Sequence, residues 1–418
     1  MSRLERRLGV RDAVVIGLGS MLGAGVFVVF APAAAEAGSG TALLVALGLA
    51  GLVAYCNATS SARLASRYPE SGGTYVYGRE RLGDFAGFLA GWGFVAGKTA
   101  SCGAMALTIG AYLWPDRSRL VAVTAVVALT AVNLRGVEKT ARATRVLVAV
   151  TLLVLATVVV TGVVAGGLSG DARLDRIWAG VPIGGYGTLT AAGLIFFAFA
   201  GYARIATLGE EVRNPARTIP RAIPLALGIV LGIYAAVVVV ALAVLGPAGL
   251  AGAAAPLADV VRAAGQPGLA WVVRVGAGVA VTGVLLALLA GVSRTVLAMA
   301  RRRDLPGSLD AVHVRYGVPH RAEVVVALVV VALVSLGDIR QAIGFSSVTV
   351  LIYYAITNAS ALTLGREPER RQPVQALAAV GLAGCLVLAV TLPPASVLAG
   401  LGVLAAGAAW FAIRRVSS

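Results

Sequence analysis

Four glycines fall within nine residues of the first apolar stretch, in the run GLGSMLGAGVF from Gly17 to Phe27. An uninterrupted membrane-length helix would be expected there, yet glycine costs ~1 kcal/mol against alanine inside a helix. Gly19 and Gly23, four apart, suit close packing of small helix faces, but four glycines followed by Pro32 exceed what packing needs. The helix is expected to break. In hydrocarbon an irregular backbone is tolerated only where protein satisfies it or where it lines a cavity. A second break is expected at Phe196 to Tyr202, near the start of the other half of the chain. Interruptions at corresponding places in two halves are the mark of inverted-repeat membrane proteins.

The surrounding composition places both breaks at membrane depth. Hydrophobic residues make up 59% and charged residues 13%, with a mean hydropathy of +0.89. Such a chain does not stay in water. Windows long enough for a ~30 Å hydrocarbon core lie near 12–37, 41–65, 84–113, 119–135, 145–167, 186–209, 222–246, 268–299, 323–337, 340–365, 373–392 and 394–413. The expected fold is therefore an all-α, single-domain membrane bundle of twelve spans across 1–418.

The net charge of +16 is explained by its placement. With an inner N-terminus, 26 of the 35 Lys and Arg residues lie at the inner ends of the spans and 7 at the outer ends. That is the positive-inside pattern for an even span number with both termini cytoplasmic, so no nucleic-acid surface is needed to explain the basic balance. Met1 to Arg11 leads directly into a full-length span, so no cleavable signal is expected. Cys56, Cys102 and Cys385 sit in apolar spans and read as small packing residues. His313 and His320 read as surface residues of a loop rich in arginine. No cofactor, metal site or catalytic set is expected.

The two breaks have complementary chemistry. A helix restarting near Gly25 presents unpaired N–H groups and a positive dipole end, which suit a carboxylate. An outer half-helix stopping near Ala200 presents unpaired carbonyls, which suit an ammonium group. Donors facing acceptors across the midplane form a cradle for a zwitterion.

At these residues the chain resembles the amino acid–polyamine–organocation (APC) superfamily of permeases, and within it the bacterial relatives of the cationic amino acid transporters. The resemblance rests on GLGSMLGAGVF in the first span, on FFAFAGY with GEEVRNPARTIP after it, and on the stretch Ala298 to Ala322. It implies a LeuT-like five-plus-five inverted repeat over about 12–167 and 186–365, with extra helices at about 373–413. It implies alternating access around a midplane site, and the expected location is the cytoplasmic (inner) membrane. Carried over by position, the substrate carboxylate would meet the N–H groups of Gly23, Ala24 and Gly25. The α-ammonium would meet the carbonyls of Met21, Phe197 and Ala200 beside Gly201, with Phe197 helping to close the site outward.

Two departures from the family shape the functional expectation. Related carriers of cationic substrates often have Asp two residues after the sixth-span glycine, where this chain has Ala203. None of its nineteen acidic residues lies near a span centre, so a cationic side chain would lack a counter-charge. Neutral amino acids are therefore expected. Sodium-independent members frequently carry Lys in the fifth span, where Val148 to Leu155 holds Thr151 instead. Lys98, midway along the third span, is the coupling candidate; a fixed charge joining helices, or a partner for an acidic substrate, remain alternatives. Arg204 and Glu211, two turns apart, are gate candidates.

The expected function is proton-coupled or exchange transport of an amino acid in the lipid bilayer. A cationic amino acid or polyamine permease, a non-transporting sensor and a channel are the alternatives.

Overall fold

The structure, a computed structural model, describes residues 8–68, 72–136, 141–164, 175–206, 212–364 and 372–417. Its described elements are helices, and the only bridge-type pairings among them join Leu8 to Val212 and Ser39 to Gly180. The first span is split into α1 (Val10–Met21), α2 (Ala24–Val28) and α3 (Phe30–Ala37). Asp12 opens it by accepting the Gly9 N–H at 3.2 Å, and Gly38 closes it in the left-handed region at φ 73°. There follow α4 (Gly40–Arg67), α5 (Thr74–Leu82), α6 (Asp84–Leu113), α7 (Ser118–Leu134) and α8 (Ala141–Val164). Ser39 caps α4 by accepting the Ala42 N–H at 3.2 Å, which satisfies one of the orphan donors of the first turn.

The second half begins with α9 (Gly184–Phe199), a 3-10 turn at Ala200–Tyr202 and the short α10 (Ala203–Ala206). Next come α11 (Pro215–Ala251), α12 (Pro256–Ala263), α13 (Pro267–Arg301), α14 (His320–Leu336), α15 (Ile339–Leu362), α16 (Gln372–Val390) and α17 (Pro394–Ser417). α11 kinks at Gly246, φ 70°, just before Pro247. Proline cannot supply the ladder N–H, and its ring displaces the preceding turn.

Nine helices among the described residues are long and apolar enough to cross a membrane. Each of the twelve sequence windows contains helix, but α6, α14 and α16 are not among those nine. α6 is diluted by glycine and Lys98, α14 has 17 residues, and the apolar stretch of α16 runs only from Gln375 to Val390. Their apolar length alone does not identify them as crossings.

The helices share one apolar core. α6 packs against α13 and α15, α4 against α9 and α11, and α1 against α8 and α11. Leucines and valines on α7, α8, α14 and α17 stay exposed on the outside of the bundle, Leu120, Leu153, Leu328 and Leu398 among them, as expected where the solvent is lipid.

The face carrying the ends of α4, α7 and α13 is basic and tied together around Asp304. This carboxylate is fully buried, accepts from the Tyr75 hydroxyl and lies 2.8 Å from Arg79 on α5 and 2.9 Å from Arg414 on α17. The Trp410 indole donates to the Asp304 backbone carbonyl at 2.9 Å. Burial of a carboxylate is tolerated here because it is paired and hydrogen-bonded.

Candidate functional site

The interruption of the first span covers Leu22 and Gly23, because α1 ends at Met21 and α2 starts at Ala24. Ala24 and Gly25, as the first residues of a new helical segment, have N–H groups with no acceptor inside it. The interruption of the sixth span begins at Ala200, where the chain tightens into the 3-10 turn. The two breaks touch. A Cβ at Gly25 would lie 2.6 Å from the Cα of Ala198, and a Cβ at Gly201 would lie 2.2 Å from the Ser20 carbonyl oxygen. Only glycine allows backbones this close. Gly23 packs on Val284 of α13, where an added Cβ would sit 3.1 Å from Cγ1.

Every sequence-derived binding residue is therefore in one place. Met21, Gly23, Ala24, Gly25, Phe197 and Ala200 are buried and Gly201 is half-buried. Phe197 is 9% exposed. The expected carbonyls, however, already have donors. The Tyr234 hydroxyl lies 2.7 Å from the Met21 oxygen and 3.0 Å from the Ala198 oxygen, bridging the two breaks. The Phe197 carbonyl accepts the Ala200 N–H. The Ala200 carbonyl meets the Tyr354 hydroxyl at 3.3 Å and the Lys98 ammonium at 3.5 Å. The site is closed, with side chains of the bundle standing where an ammonium group was expected.

The third-span lysine thus reaches the sixth-span break. Lys98 and Tyr354 share one acceptor, and Tyr354 stacks on Tyr202 with ring centroids 5.0 Å apart. Behind them runs a buried polar set linking α4, α15 and α16. The Asn358 amide donates to the Asn57 side chain at 2.6 Å, and Ser60 donates to Asn358 at 2.6 Å. A separate cavity between α1, α8 and α13 is lined by Gly19, Thr144, Val148, Thr151 and Val284 among others, none of them charged. The Thr151 hydroxyl is spent on the Leu147 carbonyl at 2.9 Å. The fifth-span position that carries a lysine in many sodium-independent relatives is therefore uncharged here, and a half-buried lysine, Lys98, sits on α6.

Of the gate candidates, Phe197 packs at the break, and Arg204 is exposed on α10. Glu211 lies outside the described residues, as does its pairing with Arg204.

Sequence reasoning did not pick out Tyr234, Tyr354, Asn57 or Asn358. Nothing local marks them, since each acts on a residue far away in the chain. The recurrence of Tyr and Asn inside otherwise apolar spans was the available signal, because buried hydroxyls and amides need partners.

Two broken helices crossing back to back in an all-helical bundle define a class, the transporters with discontinuous membrane helices. The chain belongs to the amino acid permease family AA_permease_2, which matches residues 8–411. It is a permease rather than an enzyme. It is similar to an uncharacterized transporter of Mycobacterium tuberculosis (strain ATCC 25618 / H37Rv), 63% identical over 413 residues, spanning 99% of this chain and 92% of that protein. It is also similar to the branched-chain amino acid permease BcaP of Bacillus subtilis (strain 168), 26% identical over 343 residues, 76% of this chain and 72% of that one. Among solved structures, MhsT in complex with L-phenylalanine shares its fold with a TM-score of 0.65, covering 94% of this chain and 99% of that one at 14% identity.

Proposed function

We propose that this permease is a secondary transporter that binds a neutral amino acid between its two helix breaks and carries it by alternating access. The contact of Gly25 with Ala198 and of Gly201 with Ser20 carries this reading. It brings N–H groups of α2 within the reach of one small zwitterion from the carbonyls that end α9. The substrate carboxylate would sit on the N–H groups of Gly23, Ala24 and Gly25, and the ammonium on the carbonyls of Met21, Phe197 and Ala200, with Phe197 as outer cover. In the closed form Tyr234 holds the Met21 carbonyl, Tyr354 and Lys98 the Ala200 carbonyl, and the Ala200 N–H that of Phe197, so binding exchanges internal donors for the ammonium of the substrate. That exchange keeps buried carbonyls satisfied in both states.

A neutral side chain fits the acid distribution. The described acids stand at helix ends and in loops: Asp12, Glu323 and Asp338 at helix starts, Asp116, Asp304 and Asp310 in connections. A cationic side chain at the midplane would meet no carboxylate, at a cost of ~2.5–3.5 kcal/mol even on the insertion scale. The sequence resemblance to cationic amino acid transporters favours the second reading, a cationic amino acid or polyamine permease. Lys98 is the coupling group in this proposal. It leaves the Ala200 carbonyl as substrate arrives and can pass a proton during the cycle. The bundle is read as twelve spans in an inverted repeat with two added helices, set in the inner membrane with the basic face towards the cytoplasm.

A thermal-shift screen of purified protein against the twenty amino acids and common polyamines tests the substrate class, because a ligand that binds only the folded state raises its melting temperature. Stabilisation by neutral amino acids alone is expected. Stabilisation by arginine, lysine or polyamines alone overturns the neutral assignment.

A further inference from the structure

We infer that a cleft on the basic face, apart from the transport site, binds the ammonium group of a small zwitterion. The cleft lies between the end of α7, the last turns of α13 and the start of α14, and its inner space is about 70 Å³. That space admits an ammonium-sized group at the floor, with the rest of a ligand held in the open mouth. Its lining includes Asn133, Ala290, Arg294, Tyr316 and Glu323.

Glu323 carries the inference. It is 2% exposed, and its Oε1 has no hydrogen-bond partner among the described residues. A buried carboxylate oxygen without a donor is costly, so a group that brings N–H donors into the cleft is strongly favoured there. Asn133, 5% exposed, braces the same carboxylate and donates to the Leu286 carbonyl at 3.1 Å. The amide is therefore fixed and has little freedom to turn to the open oxygen.

The rim supplies the opposite charge. Arg294 lines the same cleft, is exposed, and its charge already acts on Glu323, so a zwitterion entering the mouth would meet both charges. The roof is stiff. Gly317 donates to the His313 carbonyl, and His313 and His320 donate to the Val318 carbonyl, at 2.8–2.9 Å. Gly136, at φ 73°, lets α7 approach so closely that a Cβ there would lie 2.9 Å from the Tyr316 oxygen. A fixed pocket with an acceptor at its floor and a cation at its rim matches an ammonium and an anion held on one small molecule. A free amino acid and the ethanolamine phosphate headgroup of a lipid share this chemistry. A choline headgroup does not, because it has no N–H to donate.

The experiment uses full-length protein in two arms. In the lipid arm, nanodiscs of phosphatidylethanolamine, phosphatidylcholine or phosphatidylglycerol are compared by melting temperature and by lipid retained in native mass spectrometry. In the soluble arm, O-phosphoethanolamine, phosphocholine and L-alanine are titrated by calorimetry. Glu323→Gln removes the charge, Arg294→Gln removes the rim cation, and Ala290→Leu fills the cleft while leaving both charges in place. Gly25→Val disables the transport site and leaves this cleft intact, so failure there and failure here are separable.

The expected result is preferential binding of an N–H-bearing zwitterion, weakened about tenfold or more by Glu323→Gln and by Ala290→Leu. Preference confined to the lipid arm assigns the headgroup as ligand; a second L-alanine site lost in Glu323→Gln assigns a free amino acid. Equal behaviour of wild type and all three variants in both arms overturns the inference, and so does equal binding of phosphocholine and O-phosphoethanolamine.

Discussion

The Lys98 ammonium lies 3.5 Å from the Ala200 carbonyl oxygen, so the half-buried lysine of the third span reaches the carbonyl at the sixth-span break. The charge is placed on α6 and its partner is a backbone dipole. Lysine, a compact charge on a flexible stem that can release its proton when buried, suits a step of this kind. Lys98→Met is predicted to remove the pH dependence of amino acid uptake into proteoliposomes while leaving substrate binding measurable. Uptake that keeps the wild-type pH profile in this variant excludes Lys98 from coupling.

Close approach of the breaks depends on glycine at two positions. Gly25→Val and Gly201→Ala each place atoms inside van der Waals contact with backbone, next to Ala198 and the Ser20 oxygen. Backbone cannot move aside as a flexible side-chain end can. Both variants are predicted to lose uptake at least tenfold, with a stability loss of about 1–3 kcal/mol typical of overpacking. Gly232→Ala on α11 is the control: nothing lies within 4 Å of its added Cβ, so stability should rise by up to ~1 kcal/mol. Equal uptake by Gly201→Ala and Gly232→Ala contradicts the contact.

Asp304 joins α5, the end of α13 and α17 on the basic face. Removing one partner of a buried ion pair costs about 3–5 kcal/mol, because the other charge is left unpaired. Asp304→Asn, which leaves Arg414 facing a neutral side chain and Arg79 with only Asp84 at 3.4 Å, is predicted to lower the melting temperature by several degrees and to open this face. Cys102 lies one turn from Lys98 and is 0% exposed, which makes it a native reporter. In a Cys56→Ser, Cys385→Ser background, Asp304→Asn is expected to speed labelling of Cys102 by a thiol reagent added from the basic face. Unchanged labelling would show that the cluster does not hold this face shut.

Position 203 opens α10, directly after the sixth-span turn. In related carriers of cationic substrates this position often holds Asp. Ala203→Asp is predicted to let the permease take up radiolabelled arginine, which on the proposed function wild type is expected to reject in competition with neutral amino acids. Arginine uptake by wild type itself would remove the basis for this prediction.

The breaks were legible in the sequence because they are local events. Glycines at Gly17, Gly19, Gly23 and Gly25 weaken a helix wherever they occur, and α1 ends within that run. The stop at Ala200 could be placed because Gly201 follows an aromatic cluster. What filled the breaks was not legible. Tyr234 meets Met21 across 213 positions of chain and Tyr354 meets Ala200 across 154, and no periodicity encodes such pairings. The basic loops hid a second feature. Arg79 and Arg414 read as part of the positive-inside bias, yet both close on Asp304. Nothing in the sequence singled out Glu323, because its unpartnered oxygen exists only in three dimensions.

The most direct measurement is a cryo-EM map of the protein saturated with the neutral amino acid that raises its melting temperature most. Ligand density bridging Gly23–Gly25 and Phe197–Gly201, with the Lys98 side chain withdrawn from the Ala200 carbonyl, is predicted. Density elsewhere in the bundle, with the two breaks still in contact and Lys98 still on Ala200, would contradict a transport site built from the paired breaks.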